Sequence, residues 1–135
     1  MSRLPRIVVE VIVHAEQRYP TAGDYFADGD AWMVRVSDCG DERYEFLVAL
    51  HEMVEWFLTQ QRGIAEEDIA RFDRDFEQAR EAGQHGDLDE AGDDPAAPYR
   101  REHRFATRVE WLMAEELGVD WDEYGAALGR LYESG

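Results

Sequence analysis

His51-Glu52-Met53-Val54-Glu55 sets an imidazole and a carboxylate four residues apart inside an apolar run. On a helix, residues so spaced stand one turn apart on a common face. His51 and Glu55 can therefore grip one metal ion while Glu52, beside them, stays free to act as a catalytic base. Further along, His103 and Glu110 fall nearly on top of one another on a helical wheel. Ala106, Thr107 and Ala114 on that face are small enough to let another helix approach. If the two helices pack along this strip, His51, Glu55, His103 and Glu110 converge, with Glu110 as a further ligand or as a partner behind one. Two imidazoles, one carboxylate and an open position make a catalytic zinc set, and a mixed nitrogen and oxygen site also suits manganese or iron. The competing reading is that the acidic side of the first helix is a solvated face with His51 at its border. On that reading His103 and Glu110 bond only each other or nearby arginines.

Other candidates carry less. His14 closes an apolar strand and His85 sits in a polar stretch, so both read as edge or exposed residues. Asp93 and Asp94 precede the His103 helix closely enough for a carboxylate to approach the cluster, although acidic loops more often stay solvated. Arg100, Arg101, Arg104 and Arg108 form the one basic patch, which could hold a phosphate group or pair with the more numerous acids. Trp111, Trp121 and Tyr124 read as packing aromatics. The lone Cys39 excludes an internal disulfide framework and lies among aspartates, which do not activate a thiol.

The elements that must position these residues can be read from periodicity and punctuation. Residues 6–15 are dense in Val and Ile and predict a strand, and 31–37 predict a second, with Trp32, Val34 and Val36 on one face. An antiparallel pair is the simplest arrangement, with Gly23, Gly29 and Pro20 marking a connecting loop over 16–30 whose Tyr19, Tyr25 and Phe26 fold back onto the body. Helices are predicted over about 42–62, 66–82, 99–117 and 120–133, each bounded by capping residues or glycine. Between them, 83–98 collapses to Gly, Asp, Ala and Pro and predicts a mobile acidic loop. The whole is a single α+β domain over 1–135, a small antiparallel sheet packed on about four helices.

Thirty-one acidic against 14 basic residues leave a formal charge of -17, and every basic residue is arginine. Such a field repels nucleic acid and anionic membrane, so direct binding to either is not expected, while cations and basic partners are favoured. The same surplus permits an acidic decoy that imitates the phosphates of a duplex. No stretch approaches a membrane span or a signal peptide, which points to the cytoplasm. The apolar circumference of the first helix suits burial and a homodimer.

The runs Ala49-Leu50-His51-Glu52-Met53-Val54-Glu55, Arg62-Gly63-Ile64, Gly92-Asp93-Asp94-Pro95-Ala96-Ala97-Pro98-Tyr99, His103-Arg104-Phe105-Ala106-Thr107, Glu110 and Glu116-Leu117-Gly118-Val119-Asp120-Trp121 resemble a group of small uncharacterised proteins of bacteriophages and their bacterial hosts. That resemblance implies a setting in the host cytoplasm and no particular chemistry. His51-Glu52 also resembles the H-E-x-x-H helix of zincin metallopeptidases, but Glu55 stands where their second histidine would be, which weighs against peptidase chemistry and leaves metal binding open. The expectation is thus a metal-binding protein acting as a small metal-dependent hydrolase on an unidentified substrate. The alternative is a non-enzymatic acidic protein, a DNA mimic or anti-defence inhibitor, directed at a host protein.

Overall fold

The computed structural model describes residues 3–86 and 89–133. Three strands, β1 (Arg6–Ile12), β2 (Gly23–Asp28) and β3 (Ala31–Ser37), precede four helices, α1 (Glu42–Gln61), α2 (Glu66–Glu81), α3 (Arg100–Leu117) and α4 (Trp121–Glu133). Single 3₁₀ turns occur at His14–Glu16 and Ala91–Asp93. The fold is α+β, a three-stranded sheet of order β1-β3-β2 with α1 laid against β2 and β3.

The sheet is mixed, which corrects the expected antiparallel pairing of the first and last strands. β1 runs parallel to β3, with Ile7 opposite Trp32 and Val11 opposite Val36. The antiparallel partner of β3 is β2, formed within the stretch read as a loop. Gly29 and Asp30 make the two-residue connection, and Gly29 takes φ 62°. A positive φ at the first central residue alone is the pattern of a type II′ turn, whose twist matches that of the strands it joins. The chain from β1 thus passes over one strand position to β2, and the hairpin returns β3 into the gap.

Register then decides which side chains face the helices. Tyr25 lies opposite Val34, and both join the core with Val36, Leu47, Trp56, Ile69 and Tyr124. Directly opposed residues share a face, so Tyr25 is carried toward α1. Val34, Val36 and Leu47 are wholly buried.

Asp41 caps α1 by accepting from the Arg43 amide at 2.9 Å, and Asp120 accepts from Glu123 N at 2.9 Å at the start of α4. α1 and α3 pack antiparallel: Arg62 reaches Glu102 while His51 reaches Glu110. Ala106 and Ala114 are 0% and 1% exposed, so the small residues of α3 do face a neighbour.

Part of the stretch 83–98, expected to be a mobile acidic loop, packs on the body, with Gly92 and Ala97 buried and the 3₁₀ turn lying against α2 and α3. Asp87 and Leu88, also inside that expected loop, lie outside the described residues. Helices α3 and α4 begin at Arg100 and Trp121, one residue after the starts read from the sequence.

Candidate metal centre

His51, Glu55 and His103 meet in the interior, 7%, 4% and 6% exposed. His51 Nε2 lies 3.1 Å from Glu55 Oε2 and 3.1 Å from His103 Nδ1, and His103 Nδ1 lies 2.9 Å from Glu55 Oε2. Three donor atoms so placed form a nearly equilateral triangle. Donors bound at about 2.0–2.1 Å stand about 3.3 Å apart at neighbouring corners of a tetrahedron and about 2.9 Å apart at those of an octahedron. The triangle fits a face of either, and this buried cluster can hold a metal ion.

The reverse sides of the rings sharpen the point. His51 Nδ1 is 2.7 Å from Glu110 Oε1, and His103 Nε2 is 2.7 Å from Glu90 Oε2. A carboxylate accepts, so each of these nitrogens carries a proton and donates. The inner nitrogens are then left with lone pairs in the neutral rings, facing one another and a carboxylate oxygen. Three lone pairs cannot share that space without a positive charge among them, either protons or a cation. Without a metal, protons fill the role. Burial alone would lower the pKa of His51, yet hydrogen bonds to Glu110 and Glu55 lift it well above the ordinary value. His103 follows the same balance, with bonds to Glu55 and Glu90 raising it to about 10. Burial pushes Glu55 upward, but its bonds to His103 and His51 bring it to about 2.

Outer partners fix the orientation of each group, as metal ligands generally require. Tyr25 donates to Glu55 Oε1 at 2.9 Å, leaving Oε2 for the centre. Tyr124 donates to Glu110 Oε2, which holds Glu110 against His51. Gly92 lies so close to His103 that an added Cβ would sit 2.2 Å from the ring Cγ. Only a residue without a side chain lets the 3₁₀ turn bring Glu90 onto that ring.

Of the residues singled out in the sequence, His51, Glu55 and His103 form the triangle. Glu110 is not part of it; the helix pairing brings its carboxylate to the far nitrogen of His51. Glu52 is beside the triangle, with Oε2 3.9 Å from His51 Nε2. Burial, with the charge of Glu55 added, raises its pKa well above the usual carboxylate range. Asp93 approaches His103 only to 3.8 Å, whereas Glu90 makes the close contact. His14 bonds Ser37 Oγ at 2.8 Å, and His85 stacks on Phe76 at 3.9 Å, so neither enters the cluster. Tyr124, read as a packing aromatic, also holds a polar partner of the centre. Tyr25, Glu90 and Gly92 were not foreseen. Tyr25 needed the β2 register to be placed, and Glu90 and Gly92 sit in a segment whose composition suggested no packing.

The triangle opens onto a cavity of about 320 Å³, also lined by Tyr19, Asp73, Arg80, Trp121 and Tyr132. Among the described residues seven carboxylates line it: Glu52, Glu55, Asp73, Glu77, Asp89, Glu90 and Glu110. No protein-family model, no curated protein and no solved structure matches the chain. Among the described residues no helix is long and apolar enough to cross a membrane.

Proposed function

We propose that the protein binds one divalent cation, zinc first and manganese or iron as alternatives, through His51 Nε2, His103 Nδ1 and Glu55 Oε2, and uses it to hydrolyse a small substrate. The observation that carries this reading is the triangle of inward-facing donors, backed on each imidazole by a carboxylate. Two nitrogens and one oxygen leave at least one coordination position open toward the cavity, the mark of a catalytic rather than a closed structural site. A cation there supplies Lewis acidity and lowers the pKa of water to about 7. Glu52, buried next to the triangle with its carboxylate 3.9 Å from His51 Nε2, is placed to take a proton as the base. Burial and the charge of Glu55 raise its pKa above the usual carboxylate range, which makes it a stronger proton acceptor than an exposed glutamate. Glu110 and Glu90 hold the rings in the tautomers that turn lone pairs inward, and Tyr25 keeps one oxygen of Glu55 out of competition.

A reading as an acidic decoy for a nucleic-acid-binding host protein, in keeping with a phage setting, draws on the same net charge. The buried triangle supports the metal reading in preference, since a decoy needs only displayed carboxylates and gives His51, Glu55 and His103 no role. Glu52→Gln keeps the shape and removes the base. Zinc-loaded wild type should hydrolyse a generic activated ester, 4-nitrophenyl acetate, faster than zinc in buffer. Glu52→Gln should keep its zinc and lose about 10²–10⁴-fold of that rate. An unchanged rate in Glu52→Gln would remove Glu52 from the mechanism, and no rate above buffer in wild type would count against hydrolysis.

A further inference from the structure

Outside the triangle the lining of the cavity has a chemistry of its own. Asp73 of α2 accepts hydrogen bonds from two tyrosines, from Tyr19 on Oδ2 at 2.9 Å and from Tyr99 on Oδ1. Each carboxylate oxygen has a further lone pair, and among the described residues no arginine or histidine forms an ion pair with Asp73. Burial, with the negative charge of Glu55 added, pushes this carboxyl up to about 7 against the pull of the Tyr99 and Tyr19 hydroxyls, so that a cation seated beside it would favour its ionised form. Arg80, the one arginine lining the cavity, is already satisfied. It pairs with Glu77 through Nε at 3.0 Å and Nη2 at 3.3 Å, and bonds the carbonyls of Gly86 and Asp89. The arginines of α3 line no part of the cavity, so the phosphate hook considered for them is not available there. Tyr19, Tyr99, Tyr132 and Trp121 add aromatic surface, which attracts organic cations.

We infer that the cavity takes substrates bearing an ammonium or comparable organic cation, seated on Asp73 between Tyr19 and Tyr99, with the bond to be cleaved turned toward His51, Glu55 and His103. The substrate class rests on the metal-dependent reading; the cation subsite does not, and the two can fail separately. Anionic substrates are excluded by the carboxylates and by the full neutralisation of Arg80. Neutral substrates of the same shape bind without the charge contribution of Asp73.

Calorimetric titration of zinc-loaded protein at pH 8, where Asp73 is ionised and butylammonium still charged, with butylammonium, n-butanol and butyrate tests the subsite on wild type alone. Butylammonium should bind about tenfold or more tighter than n-butanol, and butyrate weakest. Asp73→Asn should abolish the preference. Asp75→Asn, an equal charge change at an exposed position of the same helix, should leave it in place. Equal binding of butylammonium and n-butanol, tighter binding of butyrate, or a preference that survives Asp73→Asn through direct ligation of the amine to zinc would each overturn the inference. So would an equal loss in both variants, which would trace the preference to the net charge alone. Zinc content measured on the same samples reports on the metal reading independently.

Discussion

At the scale of single residues, the centre holds either protons or a cation between its inner nitrogens, and this gives a signed pH dependence. His103 in the metal-free protein has its pKa raised from 6.5 to about 10. Its contribution to stability is full below 6.5 and is lost as pH rises through about 10. Glu55, lowered from 4.5 to about 2, contributes above 4.5 and loses that contribution as pH falls toward 2. The melting temperature of metal-free protein should therefore fall between pH 7 and about 10, while zinc-loaded protein, whose inner lone pairs need no protons, should resist that fall. Parallel alkaline declines in both forms would contradict the account. Gly92→Ala offers a second check, since its Cβ would displace the His103 ring. Zinc affinity should drop at least about tenfold in a competition titration with a chromogenic chelator. The pair His51 and Glu55 was legible because i and i+4 spacing on a helix is a local property, and His103 because small residues mark the face of α3 that carries it. Their partners Tyr25 and Glu90 were not, because they arrive from a strand and a turn whose places depend on tertiary packing.

At the scale of elements, the centre exists because α1 and α3 approach closely enough for His51 to touch both Glu110 and His103. Ala106, fully buried in α3, is part of the small-residue strip that permits the approach. Ala106→Leu should cost about 1–3 kcal/mol by overpacking, and it should weaken zinc binding as well by spreading the helices. Urea melts with and without zinc separate the two effects. A loss of stability with unchanged zinc affinity would show that the site tolerates a wider spacing. Leu47→Ala should cost more, about 2–5 kcal/mol, by opening a cavity in the core beneath the sheet. The helices could be read from capping residues and apolar steps because both signals are local. The sheet was harder. Gly29-Asp30 between Tyr25-Phe26 and the Ala31–Ser37 run is a two-residue hairpin signal in its own right, but Gly23 and Pro20 gave the whole stretch the look of a loop. The parallel pairing of β1 depends on where β2 lies, so missing one strand reversed the inferred direction of the pair.

At the scale of the whole molecule, a formal charge of -17 both attracts cations to the cavity and strains the folded state by self-repulsion. The melting temperature of metal-free protein should rise between about 0.02 and about 0.5 M sodium chloride as the charges are screened. A fall would mean that attractive pairs such as Arg18 with Asp24 outweigh the net repulsion. Composition announced the charge but not its distribution; that seven of the described carboxylates gather around one cavity emerges only when α1, α2, α3 and the 89–98 segment are assembled. The most direct measurement is the zinc stoichiometry of untagged protein, by elemental analysis after equilibration with zinc and removal of the excess. One zinc per chain is expected in wild type and essentially none in His51→Ala and His103→Ala, with chelator lowering the wild-type melting temperature. Absence of zinc from all three, with melting indifferent to chelator and to added metal, would contradict the account.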